Sequence, residues 1–514
     1  MKKTTIMLLL IILFITSCGN NNNNTSPDTT SPTNKITIGT YSSGNRNPLA
    51  ITTGFNEPVN LLVYDSLYTL NEKYEPIDNL ANEMLIENGG TDVTITIKPN
   101  ITFHDGSQLT TNDISSTINY IITNGGYYAY NVRNIGSMTI INNHSIKLKM
   151  TTPAPNIKMQ LVFPIVCKKN LLKSPKEELN FDLNGTGPFK VSSETKGKEI
   201  TLIRNPQYHQ ELTSNIKEVK INLIPDKMTT KSLSSSGILD VFYAPFYDEG
   251  LKTAAKIETR RIDYDTDEYT VIKFSKSNEL FETKQLRKAI SLAVDREKIT
   301  QDIYISHASE AFFPVPPGSW AYSGNKSLKR DVQAAKKLLE ELSWKDEDND
   351  GILEAEFDGQ QKELKLTLLS SDVPTKQSLA ETLAANLKEI GIYLSITILP
   401  QNEFKKQYEN GGYDLYLVTT NVGYDLDLYE FLDEEGKFYI PSEIDFASYS
   451  AKLSATDKKE QKQPVYAKIC DDFYENMPHI PVLFLKNTII TSNKPENPQK
   501  IYPLDLYYKL LRSD

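Results

Sequence analysis

The chain has 514 residues, of which 24% are charged, and its formal net charge at pH 7 is −10. This length allows two or three domains with sizeable cores, and an acidic chain without a basic block has no electrostatic footprint for nucleic-acid binding. Three cysteines are too few for a disulfide framework, so packed cores must stabilise the fold. The sequence leaves open whether Cys167 and Cys470 pair.

The N-terminus has the features of an export signal. Two lysines precede ten consecutive apolar residues at 6–15, a run too short for a stable membrane span. The Ile-Thr-Ser-Cys sequence at 15–18 resembles the lipobox of bacterial lipoproteins, whose cysteine receives a diacylglycerol and becomes the new N-terminus. Residues 1–17 are therefore predicted to be a lipoprotein signal peptide, and Cys18 its lipid anchor. The alternative is an ordinary exported protein with a chance cysteine at that point.

A polar segment follows the predicted anchor. Residues 18–34 are rich in Asn, Ser, Thr and Pro and contain no large apolar residue, so they are predicted to form a disordered tether. No later apolar run approaches membrane-spanning length. The folded part of the chain is thus expected to be soluble and to be held at the membrane only by its N-terminal lipid anchor.

The first half of the body has an α+β pattern. A segment at 57–67 has helical periodicity, and a Gly-Thr-Gly-Pro turn cluster stands at 185–188. Alternating apolar residues predict several short strands. These strands are 35–41, two within 91–102, 199–204 and 219–224, and a short apolar run stands at 238–242.

The second half is more regular. Apolar residues spaced i, i+3, i+4 and i+7 predict a helix at 284–299 and another that Asp331 can cap. Strand and helix patterns then alternate at 364–369, 379–390, 392–399, 403–409 and 413–418. This order predicts parallel strands with right-handed crossovers, whose ligands lie beyond the carboxyl ends of the strands. The loop after Val418 is therefore a candidate site.

The usual catalytic signatures are absent: there is no H-E-x-x-H, C-x-x-C, G-x-S-x-G, phosphate loop or G-x-G-x-x-G. Ser193 and Lys196 fit S-x-x-K without its companion motifs, which favours a chance match. His104 and Asp105 are neighbours, but adjacent residues of a strand point to opposite faces, so a structural turn is favoured over a proton relay. No enzymatic activity, catalytic residue or cofactor is predicted.

One acidic loop resembles a Ca²⁺ site. Asp346, Asp348 and Asp350 occupy positions 1, 3 and 5 of such a loop, and Gly351 occupies position 6. Position 12 requires a bidentate glutamate, and the chain has Phe357 there. An acidic turn between a helix and a strand is the favoured interpretation, and no metal ligand is assigned.

Seven motifs stand in a fixed order along residues 35–485. They are L-L-V-Y-D at 61–65, F-H-D-G-S-Q-L-T-T-N-D-I at 103–114, N-G-T-G-P-F-K at 184–190, the strand 200–208 ending in R-N-P-Q-Y, L-R-K-A-I-S-L-A-V-D-R at 286–296, the acidic loop at 344–354 and I-P-V-L at 480–483. Together they resemble the family 5 extracellular solute-binding proteins, the oligopeptide, dipeptide and nickel type that serve ABC importers. Each motif is weak alone, and seven in family order are specific.

The resemblance implies an α/β fold of mixed α+β character, with two lobes around a hinge as in periplasmic binding proteins. Lobe 1 would comprise residues 35–69, 185–275 and the C-terminal tail 486–514. A small inserted domain would span 70–184, and lobe 2 would span 276–485. A ligand would bind between the lobes, the hinge would close, and the closed form would be presented to the permease.

The resemblance also suggests ligand-binding residues. In peptide-binding relatives an acidic residue in a W-x-x-D-Y-x-[DE]-P loop holds the amino group of the peptide. The corresponding stretch here, 421–432, lacks the Trp and the Pro, and either Asp425 or Asp427 is the counterpart depending on a one-residue shift. Packing or a solvated loop is the alternative role. Further groove candidates by position are Phe55, Tyr243, Phe246, Tyr247 and Tyr424.

We therefore expect a monomeric lipoprotein at the extracytoplasmic face of the cell membrane. It would capture oligopeptides and deliver them to an ABC permease and ATPase complex. An extended peptide suits a groove because its main chain can be paired regardless of its sequence. The alternatives are a metal chelate or another small solute, a surface adhesin and a surface hydrolase. Five histidines in the whole chain disfavour direct multi-His nickel ligation.

Overall fold

The fold is a succession of short strands with interspersed helices. The computed structural model describes residues 34–41, 46–50, 58–171, 181–212, 215–224, 239–244, 260–322, 328–357 and 359–491. The strands in these ranges are β1 (Lys35–Tyr41), β2 (Tyr68–Leu70), β3 (Pro76–Asp78), β4 (Ala81–Glu87), β5 (Asp92–Ile97), β6 (Ile135–Asn142), β7 (Ser145–Met150), β8 (Phe189–Thr195), β9 (Glu199–Arg204), β10 (Glu218–Ile224), β11 (Val241–Ala244), β12 (Arg260–Phe274), β13 (Ala308–Glu310), β14 (Glu354–Phe357), β15 (Gln360–Glu363), β16 (Lys365–Ser371), β17 (Tyr393–Leu399), β18 (Leu415–Asn421) and β19 (Ile480–Thr491).

The helices lie mostly in the second half of the chain. They are α1 (Pro58–Val63), α2 (Thr111–Asn124), α3 (Ile157–Gln160), α4 (Lys168–Leu171), α5 (Lys284–Ala293), α6 (Arg296–Lys298), α7 (Val332–Glu341), α8 (Pro374–Lys388), α9 (Gln401–Asn410), α10 (Tyr429–Leu432), α11 (Phe446–Ser454) and α12 (Lys459–Asn476). A 3₁₀ turn at Tyr127–Val132 precedes β6. No helix in the described ranges is long and apolar enough to cross a membrane.

One large sheet organises the described residues. Its strand order is β17-β16-β18-β12-β19-β11-β1-β10-β9-β8, with β13 on the side of β19. A separate four-stranded sheet, β4-β5-β7-β6, forms from residues 81–150. The large sheet is mixed: β16 runs parallel to β17 and β18, whereas β12 is antiparallel to β18 and β19.

The two long strands β12 and β19 lie in the middle of this sheet and pair with each other. Buried apolar residues form two clusters, and each of these strands contributes to both. Tyr264 and Ile489 belong to the first cluster, whereas Phe274 and Ile480 belong to the second. The β12–β19 ladder changes register twice, between Asp265 and Tyr269 and again between Thr270 and Val271. Such irregularities increase local twist.

The β-α-β prediction for residues 364–418 is confirmed. Strands β16 and β17 pair in parallel from Lys365 with Tyr393 to Ser371 with Leu399. Helix α8 connects these strands, and α9 connects β17 to β18. Asp331 caps α7 as expected, since its carboxylate accepts a hydrogen bond from the Ala334 amide at 2.9 Å.

Two sequence-based helix boundaries and one predicted strand were wrong. The helix predicted at 57–67 ends at Val63, and Tyr68 already belongs to β2. The helix predicted at 284–299 ends at Ala293, and the Asp295 carboxylate caps a new short helix by accepting from the Lys298 amide. Within 91–102 only β5 forms, and its predicted partner is reduced to an isolated bridge between Thr102 and Gln108.

Several predictions fall on residues outside the described ranges. These are the signal peptide, the tether up to residue 33, Cys18, Phe55, Phe246 and Tyr247. The backbone of Tyr243 lies in β11, and its side chain is outside the described part. The bounds of the two lobes and of the inserted domain stay predictions. Cys167 and Cys470 are both buried, and no disulfide bond joins the two.

Candidate functional site

The candidate site is a cavity of about 320 Å³ between three parts of the chain. One wall is the turn at Tyr127–Val132 with nearby residues of α3, the second is Asp267 on β12, and the third is the chain from the end of β18 through α10. The lining residues are Tyr127, Tyr130, Asn131, Met159, Val162, Asp267, Thr420, Asn421, Val422, Gly423, Tyr424, Asp425, Glu430, Phe431, Lys437 and Phe438. The loop after Val418, predicted as a candidate site, therefore forms much of one wall.

Backbone pairing between β12 and β18 places this loop. Asn421, the last residue of β18, pairs with Glu268, and the amide of Val422 donates to the carbonyl of Asp267 at 3.0 Å. Gly423 then takes a positive φ of 76°, which turns the chain back toward the cavity. A Cβ atom on Gly423 would lie 2.8 Å from the Asp425 Oδ1 atom, so both conformation and space require glycine there.

Asp425 is a buried carboxylate with several partners. Its Oδ2 atom accepts hydrogen bonds from Gln160 Nε2 at 3.2 Å and from the Arg133 guanidinium at 3.5 Å. The Asn156 amide nitrogen donates to the Asp425 main-chain carbonyl at 2.7 Å. Burial raises the pKa of Asp425 to about 6, although the nearby Arg133 lowers it.

Arg133 also pairs with Asp427, so one guanidinium serves two carboxylates. The guanidinium carbon lies 3.4 Å from the ring centroid of Tyr130, which is a cation–π arrangement. Burial raises the pKa of Asp427 as well, with Arg133 acting in the opposite direction. With both carboxylates ionised this group would carry a net charge of −1, so a second cation would complete its neutralisation.

Asp267 is the other buried carboxylate of the cavity. It lies on β12 and is 6% exposed. Its Oδ1 atom accepts a hydrogen bond from the Asn421 side-chain amide at 3.0 Å. Burial raises the pKa of Asp267, whereas hydrogen bonds from Asn421, Gly423 and Tyr424 lower it.

Five of the described aromatic residues line the cavity. Tyr127, Tyr130 and Tyr424 share the lining with Phe431 and Phe438. Tyr424 stacks on Tyr74, with ring centroids 5.6 Å apart. Burial raises the pKa of Tyr424 well above its usual value, so the hydroxyl stays protonated. A cavity of this kind offers flat apolar faces together with hydrogen-bonding edges.

The predicted site residues that the structure describes differ in their position relative to the cavity. Tyr424 and Asp425 line the cavity, and Asp427 lies behind them, bonded to Arg133. Arg133 and Asp267 were not predicted. The sequence Y-Y-A-Y-N-V-R at 127–133 is a dense aromatic run that ends in a cation. This run is the sequence feature from which the cavity wall at Tyr127–Val132 could have been predicted.

The other described residues singled out in the sequence analysis are not among the lining residues of the cavity. The His104 Nε2 atom lies 3.0 Å from the Gly187 carbonyl oxygen, and Asp105 pairs with Lys169 and accepts from Ser107, so the two do not form a relay. In the acidic loop, oxygens of Asp346, Asp348, Asp350 and Glu354 lie within 4.8 Å of one another. The Gly351 and Glu347 amides donate to Asp346 and Glu354, which is the hydrogen bonding of a tight turn.

The cavity lies between the large sheet and the residues of the Tyr127–Val132 turn and α3, and its lining is aromatic and acidic. These are features of a protein that binds a solute. The model of bacterial extracellular solute-binding proteins, family 5 Middle, matches residues 75–434, and the chain belongs to this family. Members of the family bind peptides or other small solutes and work with ABC transporters.

Among its relatives is the oligopeptide-binding protein AppA of Bacillus subtilis (strain 168), which is 26% identical over 453 residues, 83% of this chain and 82% of AppA. The structure of that AppA in complex with a nonapeptide has a TM-score of 0.61 at 22% identity and covers 93% of this chain and 98% of its own.

Two further solved structures have the same fold. NikZ from Campylobacter jejuni in complex with Ni(L-His) has a TM-score of 0.64 at 23% identity and covers 90% of this chain and 94% of its own. The unliganded open form of MppA, a periplasmic murein tripeptide binding protein, has a TM-score of 0.76 at 16% identity, with 93% and 96% covered. The chain thus has the two-lobed mixed α/β fold of family 5 binding proteins.

Proposed function

We propose that this protein is the substrate-binding lipoprotein of an ABC importer and that it captures oligopeptides. The observation that carries the proposal is the aromatic and acidic cavity where the loop after β18 meets the turn at Tyr127–Val132. Family membership supports the transport role, and the similarity to AppA supports a peptide as the ligand. The role needs no catalytic step.

Contacts between the predicted inserted domain and the rest of the body support a closure mechanism. The Tyr74 hydroxyl donates to the Asp265 carbonyl at 3.0 Å, and the Trp320 amide donates to the Lys73 carbonyl at 2.8 Å. Asn156 bonds to Tyr466 at 2.6 Å. These contacts join the predicted inserted domain to β12 and to the predicted lobe 2. A ligand that touches both sides would favour this arrangement over an open one.

The charge of the lining favours a cationic group on the ligand. Asp267, Asp425 and Glu430 face the cavity, and Lys437 is the cation among the lining residues that the structure describes. Asp425 remains our candidate for a direct contact, with Tyr424 beside it and Asp427 acting through Arg133. Phe55, Tyr243, Phe246 and Tyr247 complete the proposed groove.

A metal chelate is the second candidate ligand, and the similarity to NikZ with Ni(L-His) favours it. The acidic lining argues against an anionic chelate, because like charges would meet in a buried site. A surface adhesin would leave the cavity without a role, and a surface hydrolase would leave the family membership without one.

The proposed location is the outer face of the cell membrane, with Cys18 as the lipid anchor. Replacing Cys18 by Ser should release the protein from the membrane, because the thioether to diacylglycerol cannot form. Membrane and soluble fractions of cells carrying either form would be compared by immunoblotting. Membrane retention of C18S would contradict the anchor but would leave the ligand proposal untouched.

Native mass spectrometry of a soluble form beginning at Asn20 tests the ligand. The complex is denatured after desalting, and the released molecules are fragmented. A spread of masses that fragment as peptides is the expected result. A single non-peptide mass, or a metal leaving with a small chelator, would keep the transport role and overturn the peptide. Turnover of added peptides would instead favour a hydrolase.

A further inference from the structure

Asp267 differs from the other carboxylates of the cavity in its partners. It is 6% exposed, and its carboxylate accepts hydrogen bonds from neutral donors, among them the Asn421 side chain at 3.0 Å, the Gly423 backbone and the Tyr424 hydroxyl. Among the described residues, no lysine, arginine or histidine nitrogen lies within 4.0 Å of its carboxylate. By contrast, Asp425 and Asp427 share Arg133, and Glu430 pairs with Lys437 at 3.5 Å.

A buried carboxylate without a counterion is costly, because desolvation disfavours the charged form. Burial accordingly raises the pKa of Asp267, and the neighbouring Glu268 carboxylate offers no compensation. The neutral donors partly replace water and hold the carboxylate in one orientation. These hydrogen bonds hold the Asp267 carboxylate in place but leave it without a cationic partner. The carboxylate is therefore preorganised to receive a cation from the ligand.

The walls around Asp267 suit an ammonium group. Tyr127 and Tyr424 line the same cavity, and both interact electrostatically with Asp267. Burial keeps both tyrosines protonated, so they add ring faces and hydroxyls without adding negative charge. An ammonium ion is stabilised by aromatic faces and by a carboxylate together.

We infer that Asp267 is the specificity residue that receives a primary ammonium group of the ligand, while Asp425 and Asp427 already share Arg133 as a partner. The inference rests on the proposed peptide function and specifies how that site selects its ligand. The ammonium group is either the amino terminus of a peptide or a lysine side chain, and both have the same chemistry at Asp267.

The test compares two pools of short synthetic peptides without lysine, one with free amino termini and one N-acetylated. Competitive binding is read by native mass spectrometry on wild type, Asp267→Asn and Asp425→Asn. Wild type should prefer the free-amine pool by about 30-fold or more, the usual factor for one partner of a buried charge pair. D267N should lose that preference. D425N changes another lining residue and should weaken the binding of both pools alike, so the ratio between the pools should stay within about threefold of the wild-type ratio.

A third pool, N-acetylated but containing lysine, distinguishes the two sources of ammonium. Tight binding of this pool to wild type and its loss in D267N would support the inference with a side-chain ammonium. Melting temperatures of the free proteins control for folding. D267N should melt at or above wild type, because it no longer buries an uncompensated charge.

Three results would overturn the inference: a preference for free amines that survives in D267N, its loss in D425N alone, or equal binding of all pools by wild type. If wild type binds none of the pools, the peptide function itself fails and the inference fails with it. The two failures are distinguishable, because only the second abolishes binding to the unmodified protein.

Discussion

Arg133 is the residue on which two buried acids depend. Its guanidinium pairs with Asp425 at 3.5 Å and with Asp427, and the two carboxyl groups are 5% and 7% exposed. Removing one partner of a buried ion pair leaves an uncompensated charge, which costs far more than the pair gains. The stability of the cavity wall therefore rests on this cation.

The variant Arg133→Gln should lower the free energy of unfolding by about 3–5 kcal/mol at pH 8. Because Asp425 and Asp427 would then take up protons more readily, the loss should be smaller at pH 5. Urea denaturation at both pH values measures the effect. Lys437→Gln is the matched control: its pair with Glu430 spans 3.5 Å with Lys437 70% exposed, so its loss should stay below about 1 kcal/mol. Equal losses in the two variants would contradict the role of Arg133.

His479 gives a second residue-level prediction. It is fully buried among Phe431, Phe438 and Phe473, and its Nε2 atom lies 3.0 Å from the Tyr269 hydroxyl. Burial lowers the pKa of His479 to about 3. Between pH 6.5 and pH 3 the unfolded chain thus binds one more proton at this position than the folded chain.

The contribution of neutral His479 to the free energy of unfolding is therefore complete above pH 6.5 and is lost as the pH falls toward 3. Between pH 7 and pH 5 the loss is about 2 kcal/mol. His479→Gln removes the titration, so the stability difference between wild type and H479Q should narrow by that amount over the same range. Urea denaturation curves at several pH values would show it. Parallel pH profiles would mean that His479 is protonated in the folded protein.

At the scale of elements, periodic segments were predictable and their ends were not. The β-α-β run at 364–418 follows from residue spacing, because each strand and helix buries one regular face. Helix α1 ends early because the following residues bond elsewhere: the Asp65 carboxylate accepts from Thr186 at 3.0 Å and from Asn79 at 3.2 Å. Such long-range partners override local propensity and leave no local signal.

The candidate site likewise has one part that the sequence pattern predicts and another part that it does not. The loop that contains Tyr424 and Asp425 was predictable because it follows a strand of a parallel unit, where ligands gather, whereas Asp425 itself was suggested by the family resemblance. Arg133 is nearly 300 residues from its partners in sequence, and only the tertiary fold brings them together. Asp267 lies in an alternating strand whose pattern does not reveal which side faces a cavity.

The N-G-T-G-P turn has a packing reason that the sequence did not give. A Cβ atom on Gly185 would lie 1.9 Å from the Val63 carbonyl oxygen, at the end of α1, and the Gly187 amide donates to that oxygen at 2.9 Å. Gly185→Ala should therefore lower stability by about 3 kcal/mol, because two backbone segments must separate. Thermal and urea unfolding measure the loss.

Gly197→Asn is the control for this prediction. Gly197 has a φ of 69° and no atom within 4 Å of an added Cβ, and asparagine tolerates that conformation. Its effect should stay within about 1 kcal/mol. If the two variants lose the same stability, the close approach of the turn to α1 has no special energetic weight.

At the scale of the whole molecule, the proposed closure links binding to stability and shape. A peptide at 100 times its Kd should stabilise the protein by about 2.7 kcal/mol, because it binds only the folded state. If it also draws the two sides together, the radius of gyration should fall when peptide is added. Calorimetry and small-angle X-ray scattering on one sample test both effects. Stabilisation without any change in radius would contradict closure.

Strands β12 and β19 set the mechanical character of that motion. They lie inside one continuous ladder and belong to both apolar clusters, so the two sides cannot swing freely on slack loops. We expect the proposed opening to twist these two paired strands, and we expect the twist to concentrate at the two register shifts between Asp265 and Val271. We expect the free energy needed to twist these strands to be the same whichever solute is bound. A change that stiffens these strands should therefore scale the affinities for all solutes by one common factor and leave their ranking intact.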